Sequence, residues 1–364
     1  MNLLTGTLTG FIAFIILLPI VVFVHEFGHF LFARINGVRV EAFSIGFGKP
    51  ILSWIDRHNT VWKICIIPLG GYVKMLGQSD TPESTEEHAL ATAQLSDTDR
   101  KQSFEFKQRY QKASIVLAGP LFNFIFSFLI FFAIFAFKGI PNTPSKIVSI
   151  IKDSPAYTAG LKSDDIIVAI NDTKINKPRE VSQLIQSSHG STIKMEILRA
   201  DKTMQFSITP KLDGKKYILG LSYSTYLKDY IPVSPLTALS LAYHEIESIV
   251  TETMKSLGEM IVGSRSSKDL GGMISIAKVS GTALSSGFYS FIYLIAFISA
   301  SLGLFNILPI PVLDGGYLFI YIIEDITRRE LPSKIQEKMF LAGFIIIISL
   351  LLLSNINDII RIIK

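Results

Sequence analysis

The run Leu8–Val24 contains no charged residue, and it passes without a polar break into His25-Glu26-Phe27-Gly28-His29 and then Phe30, Leu31 and Phe32. An apolar stretch of this length is a membrane-spanning helix. On a helix, His25 and His29 are four residues apart and share one face. Two imidazoles so placed can hold a zinc ion, and Glu26 beside them can act as general base on a zinc-bound water. Two histidines and a glutamate at bilayer depth are costly unless they serve a purpose. The pattern predicts a zinc hydrolase whose active site lies inside the membrane.

The rest of the composition agrees. The chain has 364 residues, of which 49% are hydrophobic, and its mean hydropathy is +0.42. That is too apolar for an ordinary soluble protein and fits a polytopic membrane protein with a soluble part. A net charge of +5 fits cytoplasm-facing loops. No basic patch is interleaved with aromatics, so no nucleic-acid partner is expected. Cys65 is the only cysteine, which excludes an intramolecular disulfide and makes a poor zinc site. Residues 1–10 carry no Lys or Arg, and no small-residue cleavage site follows the apolar run. The first span is therefore expected to be retained rather than cleaved as a signal peptide.

Four stretches are long enough to span: Leu8–Phe32, Ala113–Phe137 with Gly119-Pro120 inside it, Phe288–Val312, and Met339–Ile356. Basic residues cluster after the first span (Arg34, Arg39, Lys49), before the second (Lys101, Lys107, Arg109, Lys112) and between the third and fourth (Arg328, Arg329, Lys334, Lys338). These loops are expected to face the cytoplasm, with both termini outside and the histidine motif toward the cytoplasmic side.

Four segments follow: a membrane part over 1–141, a soluble insert over 142–225, a connector over 226–287 and a second membrane part over 288–364. Val38–Phe47 and Trp62–Met75 read as strands with glycine turns, and 79–103 as an exposed polar stretch. In the insert, strand-like runs at Ile147–Ile151, Ile166–Ile170, Thr192–Leu198 and Met204–Thr209 flank helical spacing at Arg179–Ser187, which fits one small α/β domain. Pro235–Ile261 has the periodicity of an amphipathic helix.

A catalytic zinc usually takes three protein ligands and leaves one position open. Asp314 is the candidate third ligand. It closes the third span in Asn306-Ile-Leu-Pro309-Ile-Pro311-Val-Leu-Asp314, where prolines and glycines break the helix and let a carboxylate turn inward. The alternative is a helix-end carboxylate at the water interface. Asn306 is polar in an apolar helix. It serves either helix–helix hydrogen bonding or the substrate backbone and a developing oxyanion. His244-Glu245 lacks a second histidine, since Ser248 stands there, and His58, His88 and His189 lie in polar segments without partners at ligand spacing.

With these motifs in view, the chain resembles the site-2 protease family of intramembrane zinc proteases, and within it the bacterial regulator-of-sigma-E protease branch. The resemblance rests on His25–His29, on Asn306–Gly316, and on Phe43–Gly48, Pro68–Lys74 and Ala118–Phe124. It implies His25, His29 and Asp314 as zinc ligands and Glu26 as the catalytic base. It implies that Asn306, Pro309 and Pro311 handle the substrate. Gly46-Phe47-Gly48 would form a membrane-dipping hairpin that pairs with an extended substrate.

The insert resembles a PDZ domain through Ser154–Ala156 and Ala159–Asn171. Asp164 and Asp172 stand where such domains usually carry glycine in their turns, and aspartate tolerates left-handed turn geometry. The implied fold is a polytopic α-helical membrane protein with about four transmembrane helices, a membrane-associated β-hairpin or sheet after the first helix, and one inserted α/β PDZ-like domain. The implied setting is the bacterial inner membrane, with the PDZ-like domain on the periplasmic side. The implied partners are the lipid bilayer and single-pass membrane substrates, either anti-sigma factor-like proteins or signal-peptide remnants. A metal transporter would instead carry more intramembrane carboxylates and often repeat symmetry.

Overall fold

A computed structural model describes residues 3–78, 95–142, 144–175, 178–214, 216–225, 229–264, 266 and 271–363. Most of the polar stretch 79–103, and His88 with it, lies outside the described residues. The chain divides into two compact units, one of residues 1–134 with 239–364 and one of residues 135–238.

The larger unit begins with helix α1 (Leu3–Ile35), followed by strands β1 (Val40–Ile55) and β2 (Val61–Met75), a short helix α2 (Asp97–Gln102) and helix α3 (Arg109–Phe137). The two strands are long enough to fold back on themselves. Ala42–Ile45 pairs on one side with Val61–Ile64 and on the other with Gly71–Lys74, while Leu52–Ile55 pairs with Val61–Ile64. Four ribbons result, in the order 71–75, 40–45, 61–67, 50–55. The bends fall at Gly46 (φ 84°) and Gly48 (φ 86°), a backbone region open to glycine.

An aromatic core holds this sheet to α1. Phe43 is fully buried, stacked on Trp62 at 4.4 Å between ring centroids and edge-on to Phe30 at 5.7 Å. Arg34, in the last turn of α1, donates to Asp56 Oδ2 (2.9 Å) and Thr60 Oγ1 (2.8 Å) at the hairpin tip. The ribbon 50–55 carries exposed Ile51, Leu52 and Ile55, and its neighbour 61–67 exposes Ile66, a surface suited to lipid rather than water.

The smaller unit contains β3 (Ile140–Asn142), β4 (Ser145–Ile150), α4 (Pro155–Thr158), β5 (Ile166–Ile170), β6 (Thr173–Lys174), α5 (Pro178–Ser187), β7 (Ile193–Arg199), β8 (Lys202–Ile208), β9 (Lys211–Asp213), β10 (Lys216–Ile218), β11 (Leu221–Thr225) and β12 (Asp229–Ile231). Its main sheet runs β11-β4-β5-β7-β8, with β6 added to β5. Alternation along β7 sends Ile193, Met195 and Ile197 inward, where they meet Val181 and Ile185 of α5. Pairing of β3 with β12 draws the flanks of the insert into this unit. Asp164 (φ 76°) and Asp172 (φ 61°) adopt left-handed geometry, as expected for aspartate standing in for glycine.

The larger unit resumes with α6 (Pro235–Ile261), α7 (Met273–Ser285), α8 (Phe288–Ile307), α9 (Asp314–Thr327) and α10 (Ser333–Ile363). Four helices are long and apolar enough to cross a membrane: Leu8–Ile35, Arg109–Phe137, Phe288–Ile307 and Ser333–Arg361. Helix α3 runs through Pro120 without breaking. The third span stops at Ile307, short of the expected Val312. Asp314 therefore does not close that span; it heads the separate helix α9.

Candidate metal centre

Helix α1 presents His25 and His29 from consecutive turns toward α3. The two helices approach closely because both carry glycine at the crossing. A Cβ on Gly28 would lie 2.4 Å from the Ala118 carbonyl oxygen, and one on Gly119 would lie 2.3 Å from His29 Nε2. Asp314 reaches the same place at the start of α9, after the turn Leu308–Leu313. Gly315 and Gly316 let that turn fold tightly onto its own helix, since a Cβ on Gly315 would lie 2.2 Å from the Ile307 oxygen. Val312 is held at φ 84°, a costly conformation for a β-branched residue and one that marks an over-determined loop beside a functional group.

The ligand-type atoms converge. His25 Nε2 lies 3.2 Å from His29 Nε2, and Asp314 Oδ2 lies 3.2 Å from the first and 3.5 Å from the second. Donors around a tetrahedral zinc, each about 2.0–2.2 Å from the ion, stand roughly 3.2–3.5 Å apart. Asp314 Oδ2 is buried and makes no hydrogen bond to the described residues. His29 Nδ1 lies 2.9 Å from the Ile115 carbonyl, so that nitrogen carries the proton and Nε2 presents a lone pair. Electron-rich atoms facing one another in a buried site need a cation between them, and the donor set fits zinc. Among the described residues this is the one group of three such side chains.

Glu26 is half-buried on the next face, and Gly71 of β2 passes directly over it; a Cβ on Gly71 would lie 3.1 Å from Glu26 Cγ. The outer side of residues 71–75 pairs with no strand among the described residues. This free edge beside Glu26 differs from the edge expected at Gly46-Phe47-Gly48. That segment forms the bend: Phe47 pairs with Ile67, and a Cβ on Gly46 would lie 2.4 Å from the Ile67 oxygen.

Asn306 sits half-buried in the last turn of α8, and its amide makes no hydrogen bond to the described residues. Pro309 is exposed and Pro311 half-buried in the turn before Asp314. His58, His189 and His244 are exposed; His244 bonds Glu247 on its own helix. The residue types alone did not single out Gly119, Gly71, the Ile115 carbonyl or Asn123. Asn123 did carry a signal, as a fully buried polar residue in an apolar span.

Residues 13–350 match peptidase family M50. A Mesorhizobium japonicum protein whose name carries the words zinc metalloprotease is 35% identical over 358 residues, 94% of this chain and 95% of its own length. Metalloprotease MmpA of Caulobacter vibrioides is 31% identical over 386 residues, 98% of this chain and 96% of its own length. Among solved structures, the PDZ domain of an SdrC-like protein from Listeria monocytogenes is 26% identical, covering 22% of this chain and 85% of that one, with a TM-score of 0.21.

Proposed function

This chain belongs to peptidase family M50, the site-2 proteases, and from that premise we propose that it cuts peptide bonds within the transmembrane segments of single-pass membrane proteins. It is a membrane zinc metalloprotease. The observation that carries the finer reading is the convergence of His25, His29 and Asp314 at the end of an apolar spanning helix. A protease built for soluble substrates would gain nothing from a site placed there.

His25, His29 and Asp314 would hold the zinc, which when bound supplies a Lewis acid and an acidified water. Glu26 takes the proton from the attacking water and passes it to the leaving amine. Asn306, whose amide makes no hydrogen bond to the described residues, donates to the developing oxyanion. A transmembrane helix hides its peptide bonds, so the substrate must unwind. We assign the unwound strand to the free edge 71–75, which runs past Glu26, with Gly46-Phe47-Gly48 shaping the bend beside it. Pro309 and Pro311 stiffen the turn that delivers Asp314.

In the branch reading, the protein sits in the bacterial inner membrane with both termini and the PDZ-like insert outside. The insert screens or docks substrates already trimmed on that side. The substrates are anti-sigma factor-like proteins, signal-peptide remnants, or both. Co-expression with a tagged single-pass substrate lacking its outer domain tests this. Wild type should cleave it, and Glu26→Gln should hold zinc while losing at least about a hundredfold in rate. Full cleavage by Glu26→Gln would remove Glu26 from the mechanism.

A further inference from the structure

His25 points Nε2 at the convergence of ligand atoms, so its Nδ1 is turned away and needs a partner of its own. A histidine that ligates through Nε2 carries its proton on Nδ1, and the acceptor of that proton fixes the ring's orientation and tautomer. His29 meets this need at the Ile115 carbonyl. For His25 the group in place is the side-chain amide of Asn123, 3.2 Å away on α3.

As placed, the amide turns Nδ2 toward His25 Nδ1, which sets two donors face to face. The two ends of an amide have the same shape, so the hydrogen bonds around it decide which way it points. Ser299 Oγ, on α8, lies 3.3 Å from the amide's other end and 3.1 Å from the Asn123 main-chain oxygen. With the amide turned over, every group is satisfied: His25 Nδ1–H donates to Oδ1, Nδ2–H donates to Ser299 Oγ, and Ser299 donates to the Asn123 carbonyl. Asn123, Ser127 and Ser299 are all fully buried, so no water competes for these bonds. Ser127 Oγ, 2.8 Å from the Asn123 carbonyl and 2.7 Å from that of Ala296, ties the same point of α3 to α8.

We infer that Asn123 is the positioning residue for the first zinc ligand: its amide oxygen accepts from His25 Nδ1, and Ser299 orients the amide. This rests on the metal-site reading above and adds the hydrogen bond that sets His25. Asn123 touches neither substrate nor metal. The competing role for so buried an amide is to brace α3 against α8.

Replacement by aspartate separates the two. A carboxylate accepts from Nδ1 at least as well as an amide, and it still accepts from Ser299. As a mere brace, a buried aspartate would be as damaging as leucine, or more so. The experiment measures the zinc dissociation constant of the purified full chain against a chromophoric chelator, with the absorption spectrum of the cobalt-loaded protein as a second readout. Asn123→Leu should weaken zinc by about 10–100-fold and shift the cobalt bands. Asn123→Asp should bind zinc as tightly as wild type or more tightly, with wild-type bands. Should Asn123→Leu fail to fold, Asn123→Asp and Ser299→Ala carry the test, the latter with a smaller loss than Asn123→Leu. Zinc binding by folded Asn123→Leu within threefold of wild type would overturn the inference and leave the metal site standing, as would a loss in Asn123→Asp matching that in Asn123→Leu. Failure of wild type to bind zinc would overturn both.

Discussion

Gly119 is the sharpest point of contact between the two helices that build the site. A Cβ there would lie 2.3 Å from His29 Nε2, 2.5 Å from His29 Cε1 and 2.9 Å from His25 Cε1, where ordinary contact begins near 3.4 Å. Gly119→Ala therefore needs about 1 Å of relief, and neither neighbour supplies it cheaply. If α3 retreats, it carries away the Ile115 carbonyl that holds His29 Nδ1 at 2.9 Å. If His29 moves, the metal geometry is lost, since ligand distances tolerate only about 0.2 Å.

Overpacking costs about 1–3 kcal/mol and a broken hydrogen bond about 1 kcal/mol more. Placed on zinc affinity, a total of about 2–4 kcal/mol is roughly a 30- to 1,000-fold loss. The assay is chelator competition on purified protein, with thermal melting alongside to separate loss of metal from loss of fold. Gly258→Ala is the control, because a Cβ there meets nothing within 4 Å. Gly119→Ala that binds zinc within threefold of wild type and cleaves at the wild-type rate would refute the reasoning.

Two predictions concern the rest of the molecule. Burial works to raise the Asp56 carboxyl, but the Thr60, Trp62 and His58 N–H groups and the Arg34 guanidinium outweigh it and hold it down at about 2. Its stabilisation is then present above about pH 4 and lost as the pH falls through 2, so Asp56→Asn should cost about 1–2 kcal/mol at pH 7 and nearly nothing at pH 2; melts at both pH values check this. In the smaller unit, Arg199 Nε donates to Asp165 Oδ1 at 2.6 Å, and Asp165 is only 1% exposed. Arg199→Leu leaves that buried carboxylate only the Lys162 N–H, at 2.8 Å, and should cost about 2–3 kcal/mol, and Arg199→Leu with Asp165→Leu should recover part of it; chemical denaturation followed by a probe in the insert reads both.

Some of this was legible in the sequence and some was not, for physical reasons. The Pro235–Ile261 helix appears with the same limits in pattern and structure, because a long amphipathic repeat with a proline start is a strong local signal. The four spanning helices were also plain, although the third stops at Ile307 rather than Val312. Helix α9 was not. Its opening Gly315-Gly316 looks like a breaker, and its role there is close packing of the preceding turn rather than flexibility. Helix α7 was hidden by its three serines, one threonine and one glycine. It forms because Gly281 lets it lie against Gly10 of α1, where a Cβ would meet the Gly10 Cα at 2.6 Å. The double pairing of Ala42–Ile45 depends on bends that set register, and register is a property of partners that a single strand does not announce.

The histidine motif supplies two ligands from one helix, but it does not by itself make a site. An isolated helix would leave both imidazoles free to rotate. The constraint comes from α3, which offers the Ile115 carbonyl to one ring and Asn123 to the other, while Gly119 leaves room for both. The third ligand follows a different logic. A carboxylate in an apolar setting is expensive, and Asp314 is placed in the first turn of α9, where the unpaired N–H groups and the helix dipole favour negative charge. The strained Val312 just before it costs stability, and the glycines packed against the turn hold that strain in place. A carboxylate whose position is fixed by backbone in this way can face two lone pairs without swinging out to solvent. The readiness of the site for a cation is therefore set as much by glycines and one asparagine as by the ligands themselves.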